Sequence, residues 1–279
     1  MILPDLRMFE PSVENDIRAA ALALDLDPAA ALAIGEIVGG AVLAAEVAGR
    51  MVPAIDWRHH VFHRRLRPEA RGQAVRTGLA APLGAAPEQP PRQRERWALF
   101  SRALLIDRDA AHAACAWGLG RVPGEAALAA GYEGAEALSE EVASGAAGQL
   151  RAFLRYAEAS GAAEALASGD WRAFAERYPP AARCGPSAEI RLARAQTRWR
   201  ARPPAALRRP LASGDCGLSV MRLQRRLRAL GAEIRADGVF GARTRAALIV
   251  FQDARRLPAH GRADAETLAA LAAAGRDAA

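Results

Sequence analysis

Apolar side chains recur at helical spacing along almost the whole chain, while runs that mix Val, Ile and Thr, the residues suited to a pleated strand, are scarce. That pattern restricts the fold to helices joined by turns, with little strand. Length divides it further. A chain of 279 residues exceeds the roughly 100–200 of one domain, and at 51% hydrophobic it can fill two cores. The expected class is all-α: a helical N-terminal domain over residues 1–200, a Pro- and Arg-rich linker over 201–210, and a small three-helix domain over 211–279.

Turn and cap residues place the elements. Ser12 or Asn15 can cap a first helix through Ile17, Ala20, Leu22 and Leu24. Asp27 and Pro28 read as N-cap and first position of a second, which carries Leu32, Ile34 and Glu36 and stops at Gly39 and Gly40. Residues 67–96, rich in Pro, Gly, Gln and Arg without periodicity, read as a surface loop. Helical spacing returns over 97–119, and further helices are expected over 124–130, 135–160, 161–166, 170–178 and 183–200, with Pro179 and Pro180 as a stop.

Charge and cysteine usage bound the function. The formal net charge is +7 and every basic residue is arginine, which suits a polyanion: nucleic acid, or a bacterial wall with its peptide carboxylates and anionic polymers. A genome that avoids lysine codons gives the same bias. Cys115, Cys184 and Cys216 are odd in number and widely spaced, so they are expected to be free thiols rather than metal ligands or a disulfide framework. His59, His60 and His63 lie beside Arg64 and Arg65 with no ligand at zinc spacing, and read as a solvated basic face. No phosphate loop or nucleophile elbow is present, and no metal or cofactor is expected. The segment Met1–Phe9 lacks the basic and apolar regions of a signal peptide. The longest apolar stretch, 32–47, is interrupted by Gly35, Glu36, Gly39, Gly40 and Glu46, so no membrane span is expected.

The most informative segment follows the linker. Val220, Leu223, Leu227 and Leu230 fall on one helix face closed by Gly231. Asp237, Gly238, Val239, Phe240 and Gly241 form a tight turn, and Thr244, Ala247, Leu248 and Phe251 share the face of a second helix. Leu257, Pro258 and Gly261 lead to a short third helix through Leu268 and Leu271. The run from Gly217 to Gly261, with Gln224 and Gln252 inside it, closely resembles the three-helix peptidoglycan-binding domain. The resemblance implies a shallow groove beside the glycine turn, with Asp237, Gly238, Phe240, Gly241, Thr244 and Gln252 as the binding residues.

The region from Val13 to Trp199 resembles the N-acetylmuramidase domain of phage endolysins, a lysozyme-like helical hydrolase. The resemblance is carried by Asp25–Pro28 entering a helix, Trp57–Arg64, Asp107–Ala110 with Cys115–Leu119, and Asp170, Trp171, Phe174 and Tyr178. It implies a sugar cleft, for which Trp57, Trp117 and Tyr178 are candidate stacking residues. The family's polar positions are altered. Its Glu-x-Glu-Ser-Gly becomes Glu36 to Gly40, with Val38 at the second glutamate; its Phe-Glu-Arg-His becomes a segment with Arg58 at the glutamate; a Gln becomes Arg121 and an Asn becomes Pro179. Glycoside hydrolysis ordinarily uses two carboxyl groups about 5–9.5 Å apart, and neither Val nor an always-protonated Arg can replace one. The resemblance therefore implies a peptidoglycan-binding protein of phage or phage-derived origin whose hydrolase fold is kept without its chemistry. The competing register makes Glu36 the acid, with Asp56 or Glu46 as partner, and leaves an active endolysin that cuts the β-1,4 bond between N-acetylmuramic acid and N-acetylglucosamine. Either protein acts at the wall, through a holin pore or within a phage-like particle whose other proteins are further partners. No nucleic acid is expected.

Overall fold

The computed structural model describes residues 9–202, 210–264, 266–268, 270–271 and 274. Residues 203–209 of the expected linker lie outside the described residues. The helices in chain order are α1 Pro11–Ala23, α2 Pro28–Ile37, α3 His59–Arg65, α4 Pro68–Arg76, α5 Gln93–Leu104, α6 Arg108–Ala114, α7 Ala135–Ala143, α8 Ala146–Ala159, α9 Ala163–Ser168, α10 Trp171–Arg177, α11 Pro179–Ala182, α12 Ala188–Ala201, α13 Leu218–Ala229 and α14 Ala242–Ala254. Strands are short: β1 Ala44–Val47, β2 Arg50–Pro53, β3 Ile55–Trp57, β4 Cys115–Trp117 and β5 Val122–Pro123. They form a β1–β2 pair and a three-stranded sheet in the order β3-β4-β5. The architecture is helical, as the sequence implies.

The chain folds as two compact units. The first takes in Ile17–Ala45 and the described residues from Pro53 to 202; the second takes in Glu10–Asp16, Glu46–Val52 and the described residues from 210 on.

In the first unit α2 is the central element. Asp27 Oδ1 accepts from Ala29 N at 2.9 Å and Pro28 stands in the first turn, so the helix starts where its cap dictates. Every residue from Ala29 to Gly35 is buried, and α12 packs along it with Leu192, Ala195 and Trp199 turned inward. Gln196 of α12 joins three helices, donating to Asp27 Oδ2 at 2.8 Å and accepting from Trp171 Nε1 at 2.8 Å. A second cluster, Phe153, Phe174 and Tyr178, fills the space between α8 and α10, with Phe174 and Tyr178 stacked at 5.0 Å.

Several boundaries differ from the sequence reading, each for a local reason. The stretch 67–96, expected to be loop, contains α4; only Ala74 of that helix is buried, so no apolar periodicity announces it, although Pro68 and Glu69 are ordinary first-turn residues. The run 97–119 is two helices and a strand, because Asp107 caps a new helix by accepting from Ala110 N at 2.9 Å. Strand β4 is buried on both faces and shows no alternation. The run 135–160 breaks between α7 and α8 at Gly145. Pro179 and Pro180 begin the short α11 rather than only ending α10. His59 is buried against Trp57 rather than solvated.

In the second unit α13 and α14 enclose a core of Val220, Leu223, Leu227, Phe240, Leu248, Phe251 and Leu271. Gly231, at φ +94, ends α13 in the left-handed conformation that a C′ glycine adopts freely. Residues 266–268 and 270–271 are helical.

Candidate functional site

Several elements of the first unit meet around a cleft of about 320 Å³, lined by Val38, Asp56, Arg58, Gln89, Arg121, Pro180, Arg183 and Cys184. Val38 is the C-cap of α2. Strand β3 pairs antiparallel with β4, Asp56 opposite Ala116; Ile55 and Trp57 are buried, so the strand's period of two turns Asp56 the other way. Arg58 is the N-cap residue of α3. Arg121 belongs to the turn between β4 and β5, and α11 with the residues after it supplies Pro180, Arg183 and Cys184. Val38 and Arg58, which the sequence reading set against the family's carboxylates, thus line one cleft.

The electrostatics of this cleft are cationic. Its one lining carboxylate, Asp56, is paired with Arg96 and lies 3.3 Å from Arg121 Nε. Arg121 is fully engaged: its two terminal nitrogens donate to Gly118 O at 2.8 Å and Gly39 O at 2.7 Å. Arg58 is 8% exposed, and its nearest anion is Glu125 at 3.7 Å, which Arg64 also holds. Burial and the neighbouring Arg183 bring the Arg58 guanidinium down to about 10, so it remains a cation at neutral pH and neither gives nor takes a proton. Burial raises the Cys184 thiol, whose hydrogen faces Ile37 O and Pro180 O at 3.4 Å each.

The other sequence candidates lie elsewhere. Glu36 does not line this cleft; both its oxygens accept from Arg198, at 2.6 and 2.7 Å, and one also from Trp199 Nε1 at 2.8 Å. Glu46 is exposed on β1. The three aromatic residues expected to stack on sugar are core residues, and that expectation is corrected. Trp57, Trp117 and Tyr178 are at most 1% exposed, and their polar atoms donate to Leu79 O, His112 O and Gly120 O. No ring face is left for a ligand. The cleft residues that sequence reasoning passed over, Gln89 and Arg183, carried no motif; Asp56, named there as a partner for Glu36, lines the cleft without it.

In the second unit the motif residues hold the backbone together. The side chain of Gln224 accepts from Gly238 N at 2.8 Å and donates to Asp237 Oδ1 at 2.9 Å, Val239 O at 3.0 Å and Thr244 Oγ1 at 2.9 Å. Gln252 repeats the device: it accepts from Gly261 N at 2.9 Å and donates to Arg262 O at 2.9 Å and Thr267 Oγ1 at 3.0 Å. Each buried glutamine thus clamps a glycine turn to a threonine in the next helix. Asp237 also accepts from Val239 N at 3.0 Å, an Asx-type turn, and Gly238 takes φ +78. Thr244, Gln252 and Phe240 are at most 3% exposed, so their expected contact with ligand is corrected to an internal role. Asp237 is half-buried and Gly241 exposed, and these two remain at the surface of the turn.

Among the described residues no group of three His, Cys, Asp or Glu side chains converges as a metal site, and no helix is long and apolar enough to cross a membrane. The three cysteines are free.

Comparison with known proteins agrees with this architecture. The N-acetylmuramidase family profile matches residues 27–200, and that of a peptidoglycan binding domain matches residues 217–271. Among solved structures the chain is similar to the crystal structure of the Burkholderia AP3 phage endolysin, with 25% identity and a TM-score of 0.52, over 72% of this chain and 74% of that one. None of the curated proteins matches it.

Proposed function

The chain belongs to the N-acetylmuramidase family and carries a peptidoglycan-binding domain behind that fold, and from this we propose that it grips the bacterial wall without cutting it. The observation that carries the proposal is the meeting of Val38, Arg58 and Arg121 in one cleft. Three positions read from the sequence as altered catalytic or polar residues share the same space, which supports the register that aligned them. In that register the cleft has a methyl-bearing wall and a fixed cation where an acid and a base would stand. Its remaining carboxylate, Asp56, is held between Arg96 and Arg121. A single carboxylate cannot both protonate a leaving oxygen and activate water from the far side of a sugar ring. The phage or phage-derived origin and the passage to the wall by a holin or within a particle are part of the same reading.

Two linked domains that both contact one polymer bind it more tightly than either alone, because the second contact forms at a high effective concentration. The test uses the full chain and purified sacculi. The wild type is expected to sediment with sacculi and to release no reducing ends, while Val38→Glu with Arg58→Glu gains measurable release. The gain is small, since Arg121 and Pro180 still line the cleft and misplacement of about 1 Å can cost on the order of a hundredfold. Reducing-end release by the wild type, abolished by Asp56→Asn, would overturn the non-catalytic reading in favour of an active endolysin.

A further inference from the structure

A cleft that has dropped its carboxylates need not become cationic; alanine or serine would serve a scaffold equally well. Here the lining holds three guanidinium groups against one carboxylate, and the three differ in what they have left to offer. Arg121 is engaged with two carbonyls and Asp56. Arg58, by contrast, is largely buried, and its Nη1 has no hydrogen-bond partner among the described residues; Glu125 at 3.7 Å is shared with Arg64. Arg183 is exposed, and its guanidinium makes no ion pair or hydrogen bond among the described residues, only its backbone N–H being engaged, with Ala181 O. Two guanidinium groups with spare donors therefore face one space, and burial first and the charge of Arg183 second disfavour the Arg58 cation. Burial lowers His60, and the charges of Arg58, Arg183 and Arg64 lower it further. Buried, under-satisfied donors and unbalanced like charge are both relieved by one thing, an anion with planar paired oxygens that can bridge the two forks.

We infer that this cleft is a carboxylate-binding site, in which Arg58 and Arg183 hold the carboxylates of a wall muropeptide. The inference rests on the wall-binding reading above. It turns the cleft from a vacated active site into a second, charge-selective contact on the polymer. Arginine suits the task because its fork matches a carboxylate with two parallel hydrogen bonds.

The experiment titrates the full chain with a disaccharide tetrapeptide muropeptide bearing free carboxylates, the same muropeptide with its carboxyls amidated, and inorganic phosphate. The guanidinium Nε–H signals of Arg58 and Arg183 are followed by NMR. The free-acid muropeptide is expected to move both signals, and Arg183→Gln, whose side chain supports nothing else, to weaken that response by about tenfold. Arg58→Gln should do the same if it folds, and Arg183→Gln keeps the test decisive if it does not. Equal response to the amidated muropeptide, or an equal response to phosphate, would overturn the carboxylate assignment. Retention on sacculi is measured alongside. Unmoved arginine signals with retention intact would sink the cleft site alone, whereas loss of retention by the wild type would sink the wall-binding reading itself.

Discussion

The two units treat their family motifs in opposite ways. In the C-terminal unit the motif residues are the fold: Gln224, Gln252, Thr244 and the two glycines satisfy one another's buried polar atoms, and each has several partners. In the N-terminal unit the two positions that the sequence reading sets against the family's carboxylates have no such duty. Val38 caps a helix through its backbone, and Arg58 reaches only a distant anion. A polar residue that carries only chemistry can be replaced without harm to the scaffold, while one that pairs a buried amide cannot. Conversely, Glu36, which the sequence reading sets against the family's first glutamate, has structural partners in Arg198 and Trp199.

The comparison can be broken first at the clamp. Gln252→Ala leaves Gly261 N, Thr267 and Arg262 O without their buried partner, and is expected to destabilise the C-terminal unit by about 3–5 kcal/mol. All five tryptophans lie before residue 200, so their fluorescence reports the N-terminal unit while far-ultraviolet circular dichroism reports both. The variant should shift the dichroism transition to lower denaturant and leave the fluorescence transition in place. A fluorescence shift of equal size would mean that the two units do not unfold separately.

A smaller effect is expected at Glu36. Glu36→Gln removes a two-oxygen ion pair with Arg198 and weakens the bond from Trp199, at a cost of about 1–3 kcal/mol read by the fluorescence transition. Retention on sacculi should not change. Loss of a hydrolytic activity instead of stability would restore Glu36 to a catalytic role.

The mildest contrast is in acid. Burial holds His59, His60 and His112 below the usual 6.5. The fold binds fewer protons there than the unfolded chain, so this contribution is complete above 6.5 and is lost as the pH falls through 6.5 toward the lowered values. In the C-terminal unit Asp264 is lowered from 3.8 by hydrogen bonds from Thr267 and His260, and its contribution disappears only as the pH falls below 3.8. The fluorescence transition should therefore move to lower denaturant as the pH falls below 6.5, while Asp264 in the C-terminal unit loses its contribution only below 3.8. Parallel loss in both units would remove the distinction.

Capped helices and their apolar faces were legible in the sequence. Asp27 with Pro28, Asp170 before Trp171, and Gly231 after α13 all act as their residue types dictate. The helix α4 was hidden because a helix with a single buried residue leaves no periodic trace. Strand β4 was hidden because burial on both sides erases alternation. In the site, the resemblance located Val38 and Arg58, but not Arg183, which reaches the cleft from the far end of the domain and lies in no motif. The aromatic residues were misread for a related reason. Trp57, Trp117 and Tyr178 are as large and amphipathic as a sugar platform requires, and sequence cannot distinguish an indole that donates to ligand from one that donates to the carbonyl of Leu79 or His112.

The paired glutamine clamps bear on how the C-terminal unit resists proteolysis. Turn amides ordinarily exchange with solvent deuterium fast, because a loop opens without disturbing the helices around it. Gly238 and Gly261 instead send their amide hydrogens to glutamine oxygens rooted in α13 and α14. Neither turn can open without breaking into a helix, so both amides should exchange as slowly as the helix interiors. A protease that needs an extended loop then finds none at these turns until the whole unit unfolds, and the unit's lifetime under proteolysis is set by that one global event.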